Sequence, residues 1–231
     1  MAARPNCEFA KQCFAKRLTM KKLIGIFGAS GFARETADIA YELGYTPIFI
    51  TSDCKEVEAW DFPEEIILDS KIDSIKKMVF SIGIGDNNVR KKIAQCYRES
   101  LNFINLIHPH ATFGRGQLDL LKGKNGLIIC SGVRLTNNIN LGAFTILNLN
   151  ATGGHDVYIG DFANIAPGAS ISGNVTIGPG CWIGTGAVIN QGLPGAKLIV
   201  GENTTIGSGS VVISACSPDS IYVGVPAKRI K

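Results

Sequence analysis

Between Ile129 and Val212 the aliphatic positions of this chain fall on a period of six. Ile129, Leu135, Leu141, Leu147, Gly153, Ile159, Ile165, Ile171, Ile177, Ile183 and Ile189 share one phase, and every one except Gly153 is Ile or Leu. The phase slips by five residues across Gln191–Leu198 and resumes at Val200, Ile206 and Val212. Four residues after the aliphatic stands a second, mostly small residue, as at Ala163, Ala169, Val175, Cys181 and Ala187. A helix repeats at 3.6 residues and a flat strand at 2, so neither gives a clean six. The pattern predicts a short strand and a turn, repeated, with three such units closing a triangular coil of roughly 18 residues. Stacked coils then share one continuous aliphatic core.

The first part of the chain reads differently. Lys22–Gly28 is an apolar run ending in turn residues, which predicts a buried strand. Phe32–Leu43 has helical spacing and is followed by Gly44, a residue suited to a helix C-terminus. Pro47–Thr51 and Met78–Ile84 are further strands, Asp86–Ser100 is a polar-faced helix with Asp86 as N-cap, and Leu101–Leu106 is a fourth extended run. Strand–helix–strand alternation predicts a small parallel α/β domain over 20–107. Pro109 breaks the chain at the join, Ala111–Asn125 reads as an imperfect capping coil, and the prism fills 108–221. Gly224 and Pro226 turn the tail 222–231 off the coil, and residues 1–19 are expected to be a poorly ordered extension before a natural start at Met20.

Composition narrows the classes. The net charge of +4 suits an anionic ligand or an ordinary surface equally, and no run of Lys or Arg points to nucleic acid. Seven cysteines without a C-x-x-C pair exclude a full disulfide framework and fit reduced thiols in the cytoplasm. No apolar run approaches the ~18 residues of a membrane helix, and 1–19 lack the apolar core of a secretory signal.

Two stretches carry candidate chemistry. Gly28-Ala29-Ser30-Gly31 places backbone amides at a helix N-terminus, where a phosphate can sit; the dinucleotide pattern would need Gly at 26, where Ile26 stands. The second is His155-Asp156. The six-residue pattern gives up its aliphatic only at Gly153, beside this pair and just after Asn148. Places where a local rule fails are candidate sites. Imidazole, with a reference pKa near ~6.5, can take a proton from an amine or hydroxyl at neutral pH, a carboxylate can orient it, and a glycine amide can bind an oxyanion. His108 and His110 flank the join and read as structural. A metal hydratase would need about three histidine ligands between coils, and only His155 lies in the repeat, so no metal is expected. A ligand-sensing scaffold without catalysis remains open.

The units Ile159-Gly-Asp-Phe-Ala-Asn, Ile177-Gly-Pro-Gly-Cys-Trp and Ile183-Gly-Thr-Gly-Ala-Val resemble the left-handed parallel β-helix of hexapeptide-repeat acyltransferases. With the opening Gly-Ala-Ser-Gly, the Leu-Ile-His-Pro join, the His–acidic pair and the Gly224-Val-Pro-Ala-Lys228 tail, the chain from Met20 is similar to the sugar O-/N-acetyltransferases of the sialic acid O-acetyltransferase NeuD/PglD family. The resemblance implies a Rossmann-like α/β domain before the β-helix and transfer of acetyl from acetyl-CoA to the amino group of a nucleotide-linked 4-amino-4,6-dideoxy sugar for surface glycans. O-acetylation of sialic acid is the alternative within the family. It also implies His155 as general base with Asp156 beside it, Gly173 at the acetyl carbonyl, and Asn148, Asn164, Thr185, Gly207 and Lys228 about the acetyl-CoA. The nucleotide sugar would meet Gly28, Ser30, Gly31, Phe32, Ser52 and Asp53, and the active sites would lie between subunits of a homotrimer. Two positions depart from the family pattern: Phe32 replaces a His, and Thr51-Ser52-Asp53 replaces an acidic pair.

Overall fold

The computed structural model describes residues 22–231, so the readings of 1–19, of the start at Met20, and of Cys7 and Cys13 lie outside it. Five parallel strands open the chain: β1 (Lys22–Phe27), β2 (Tyr45–Thr51), β3 (Glu65–Leu68), β4 (Val79–Ile82) and β5 (Asn102–Phe103), in the order 3-2-1-4-5. The intervening helices are α1 (Gly31–Glu42), α2 (Cys54–Glu58) and α3 (Asn87–Tyr97). Ile24, Ile26 and Phe49 pack with Ala33, Ala37 and Ala40 of α1 on one face, and Phe27, Ile50, Phe80 and Ile82 with Ala94 of α3 on the other. Asp86 caps α3 as the sequence predicts, accepting from the amides of Asn88 and Val89 at 2.9 and 2.8 Å.

Two differences from the sequence reading have simple causes. Strand β3 and helix α2 are too short and too polar-flanked for periodicity to reveal. The run Leu101–Leu106 divides: Asn102–Phe103 close the α/β sheet, whereas Leu106–Ile107 pair with Ile128–Ile129 and so begin the prism.

Beyond the join the chain winds into coils whose strands form sheets of four, eight and six strands. Ile146 pairs with Asn164 and Leu147 with Ile165, so a coil advances by 18 residues. Across the phase slip Val175 pairs with Leu198, Trp182 with Thr205 and Val188 with Val211; five extra residues enter, and every strand keeps its neighbour. The sixth-position aliphatics from Ile129 to Val212 form one buried column, each stabilising the fold by about 1.5–3 kcal/mol relative to exposure. The result is the left-handed parallel β-helix that follows a Rossmann-like domain.

Turns recur at the same period. Gly132, Asn138, Phe144, Asn150, Asp156, Phe162, Gly168, Asn174, Gly180 and Gly186 all take left-handed backbone conformations. Gly, Asn and Asp enter that region at low cost, which explains the polar turns; the two phenylalanines do not. The turns stack into three edges. A histidine edge comprises 136–139, 154–157, 172–174 and the inserted loop 190–197. A docking edge comprises 142–145, 160–163, 178–181 and 201–204, against which α3 sits, with Asn87 donating to the Gly180 and Cys181 carbonyls at 2.9 and 3.1 Å. A glycine edge comprises 130–133, 148–151, 166–169, 184–187 and 207–210.

Candidate active site

On the histidine edge the left-handed turn at Asp156 brings its carboxylate back against the preceding residue. His155 Nδ1 lies 2.8 Å from Asp156 Oδ2, so the contact that sequence adjacency could not prove is made. Asn138, one coil below, donates its amide to the other carboxylate oxygen. Lys197, from the inserted loop, donates to the Asp156 carbonyl at 2.9 Å. The hydrogen bond to the His155 ring, then that from Asn138, hold the Asp156 carboxyl below its usual range.

The sign follows directly. A carboxyl whose pKa is depressed on folding contributes its stability above the unfolded-state value, and that contribution is lost as pH falls through the lower folded-state value. Asn138→Ala removes one of the two named partners. Carbon-detected NMR of the Asp156 carboxyl is expected to place its midpoint below the ordinary value of about 3.9 in the native protein and higher in the variant. An unmoved midpoint would show that the Asn138 contact does not operate in solution.

Gly173 lies directly against the imidazole. A Cβ built there would stand 2.6 Å from His155 Nε2 and 2.7 Å from Cε1. Its amide donates to no acceptor among the described residues, while its carbonyl accepts from Gly192 at 3.0 Å and the neighbouring Asn174 amide donates to the His155 carbonyl at 2.9 Å. A half-exposed imidazole edge thus faces solvent next to a free N–H. That arrangement can accept a proton and stabilise a developing oxyanion.

The other sequence-predicted residues sit elsewhere. Asn148, Thr185 and Gly207 share the glycine edge, a different edge of the same prism from His155. Asn164 points outward from its strand but is buried at 3% exposure, donating to the Gly85 carbonyl at 3.0 Å in the joint between the domains. Lys228 is exposed on the tail strand that pairs antiparallel with Ile221–Val223.

A cavity of about 360 Å³ opens at the C-terminal ends of β1, β2 and β4. Strand order reverses there, between β1 and β4, which is where open α/β sheets bind ligands. Gly28, Ser30, Ser52 and Asp53 line it. Gly28 has φ of 110°, and a Cβ there would meet Ile84 at 2.9 Å, so glycine is required. Ser30, which lines the cavity, is the N-cap of α1 without a side-chain cap, so the first-turn amides have no side-chain partner there. Gly31 and Phe32 are not among the lining residues; Phe32 packs instead on the apolar cluster beneath α1. Glu56 and Asp69, which sequence reasoning missed, do line it, and Glu56 accepts a hydrogen bond from Thr51. Glu56 comes in on α2 and Asp69 at the start of the 3-10 turn Asp69–Ser74 that follows β3, and no local pattern marks those pieces.

Among the described residues no group of three or more His, Cys, Asp or Glu is placed to hold a metal ion, and no helix is long and apolar enough to cross a membrane.

A coiled prism with a His–carboxylate pair at one edge and an α/β crevice beside it is the architecture of a hexapeptide-repeat acyltransferase. Residues 23–97 match the PglD N-terminal domain, and 156–191 match the six-repeat bacterial transferase hexapeptide. The chain is 29% identical to GDP-perosamine N-acetyltransferase of Escherichia coli O157:H7 over 90% of its own length and 96% of that relative. It superposes on WeeI from Acinetobacter baumannii AYE with a TM-score of 0.77 at 28% identity, covering 90% of this chain and 99% of that one. The acetyltransferase domain of PglB from Neisseria gonorrhoeae FA1090 gives 0.78 at 25% identity, with 91% and 100% covered; that domain is also known in complex with acetyl coenzyme A. Over both domains the chain is thus similar to the sugar acetyltransferases of the NeuD/PglD type.

Proposed function

We propose that this protein moves an acetyl group from acetyl-CoA to the amino group of a GDP-linked 4-amino-4,6-dideoxy sugar in surface-glycan biosynthesis. The observation that carries the reading is the 2.8 Å contact of His155 Nδ1 with Asp156, which turns Nε2 toward Gly173. The GDP-perosamine relative supports the nucleotide and the amine.

Acetyl-CoA supplies an acyl group activated as a thioester. The protein supplies the rest. Asp156 accepts from Nδ1–H and so leaves the Nε2 lone pair free. Nε2 removes a proton from the attacking nitrogen and returns it to the departing sulfur, so the protein ends the cycle unchanged. The Gly173 amide meets the carbonyl oxygen as it gains charge. In the α/β crevice the first-turn amides of α1 and Ser30 take the diphosphate. Carboxylates of Asp53, Glu56 and Asp69 accept from guanine N–H groups and ribose hydroxyls.

In this reading the α/β domain binds the nucleotide sugar, the prism that begins at Leu106 carries the transfer, and the tail 222–231 lies near acetyl-CoA at Lys228. The acetyl-CoA residues Asn148, Thr185 and Gly207 cannot meet His155 within one prism, because they occupy another edge. A homotrimer that sets the histidine edge of one copy beside a neighbour's glycine edge completes the site, with Asn164 behind it in the domain joint. Both substrates belong to the cytoplasm, where the free cysteines would stay reduced.

The test is thiol release from acetyl-CoA with GDP-, UDP- and dTDP-linked 4-amino-4,6-dideoxy sugars and with sialic acid as acceptors. Release with the GDP-linked amino sugar is expected. Release with another nucleotide would reassign the crevice, and release with sialic acid alone would replace N- by O-acetylation. Silence across the panel would overturn the enzymatic reading.

A further inference from the structure

The residue that joins the two halves of this molecule is an arginine that plays no part in the chemistry described above. Arg90 of α3 is 1% exposed, the largest of the fully buried side chains. Burial lowers its guanidinium pKa to about 10, so it remains charged at neutral pH. No carboxylate lies within salt-bridge distance among the described residues. Asp86 acts on it only through space, and a buried cation with no carboxylate in contact is costly unless its donors are satisfied.

Carbonyl oxygens from both domains do that work. From the α/β side, Nη1 donates to Ile84 and Gly85, each at 2.9 Å. From the prism, Nε donates to Phe144 at 2.9 Å and Nη2 to Phe162 at 2.7 Å. Nη2 also reaches Asn87 Oδ1 at 2.8 Å, and the Asn87 amide holds the next coil at Gly180.

Phe144 and Phe162 are the two bulky residues in left-handed turns, a conformation that persists only where its surroundings enforce it. Their rings stack at 5.4 Å with an interplanar angle of 1°. The strained turns thus stand on the docking edge, with their carbonyls gripped by Arg90. The segment that makes the grip also makes the crevice: Ile84, Val89 and Ile93 line the cavity at the switch point.

We infer that Arg90, with Asn87, is a positioning clasp that holds the nucleotide crevice in one fixed pose on the β-helix, so that a sugar held by its nucleotide arrives at the catalytic histidine in reacting geometry. This rests on the proposed transfer to a nucleotide-linked amine. It assigns α3 a role beyond framing the crevice. The clasp acts through orientation and leaves both binding sites intact.

The test compares Arg90→Lys, which keeps the charge but loses the planar fork, and Asn87→Ala with the native full-length protein. A displacement near 1 Å costs on the order of 100-fold, and kcat with the GDP-linked amino sugar is expected to fall by about that much in Arg90→Lys and by less in Asn87→Ala. The number and affinity of GDP sites by calorimetry, and KM for acetyl-CoA, should stay within about twofold. A role in folding alone predicts otherwise: kcat would fall only in step with the number of GDP sites. Scanning calorimetry gives a second readout that needs no activity. The native chain should unfold in one transition and the variants in two, as the domains uncouple.

The clasp is overturned if kcat stays within about twofold of native, or tracks the count of GDP sites, while unfolding remains a single transition. If Arg90→Lys does not fold, Asn87→Ala alone decides, and a native kcat with a native unfolding profile overturns the inference. If the native protein acetylates no nucleotide sugar, the acetyl-transfer reading fails, and one or two unfolding transitions then decide the clasp by themselves.

Discussion

Replacing His155 by alanine is expected to lower kcat by about 10²–10⁴-fold, the range that a positioned general base contributes. The side chain is half exposed on a prism edge and anchors no core residue, so the variant should fold and bind acetyl-CoA as the native protein does. The loss should be confined to the turnover step. It should also soften as pH rises, because more of the acceptor amine is then unprotonated and solvent base can take the proton that its nitrogen gives up. Thiol release across a pH series, with acetyl-CoA affinity measured in parallel, checks both points. A variant that keeps turnover within about tenfold of native at neutral pH would remove His155 from the proton transfer.

Gly173→Ala is the second large effect, and it tests the pairing of the imidazole with the glycine amide. The added methyl would lie 2.6 Å from Nε2, inside contact distance, and the flexible imidazole must swing away. Loss of alignment of this kind costs on the order of 100-fold in kcat. The backbone hardly needs to move, so the unfolding midpoint should be close to native. Gly154→Ala supplies the contrast. Its methyl would meet the Gly173 nitrogen at 2.6 Å and the Ser172 carbonyl carbon at 2.8 Å, which forces one coil off the next. That substitution should cost about 1–3 kcal/mol of stability, read by denaturant unfolding. If Gly173→Ala kept full activity, the ring would not need the place it occupies against residue 173.

The prism was legible from the chain because its order is local. Each residue's direction is set by its place in a six-residue unit, so Ile165 could be read as inward and Asp156 as a turn residue without knowing anything distant. The failure at Gly153 marked the histidine edge for the same reason. What escaped was everything that depends on a second element. The periodicity shows Asn164 pointing outward, yet cannot say that Gly85 covers it. Arg90 sits in a helix with a polar face and reads as a surface residue; only the docked prism buries it. Glu56 and Asp69 reach the crevice through pieces too short to carry a pattern, and Phe32 gained a place in the crevice from its position in a motif, whereas its apolar ring packs inward. The assignment of residues to one site also depended on edges: neighbours in the list of family positions need not be neighbours on one prism.

The five residues inserted at the histidine edge behave like an interstitial defect in a crystal. The strands on either side of the insert remain in register, since Val188 still meets Val211 and Ile189 still meets Val212. The lattice absorbs extra length at a corner and transmits none of it along the axis. The extra length emerges beside the His155–Asp156 pair, where Lys197 already touches Asp156. A chain built this way can rewrite the loop bordering that pair, in length and in charge, while the load borne by the column beneath stays constant.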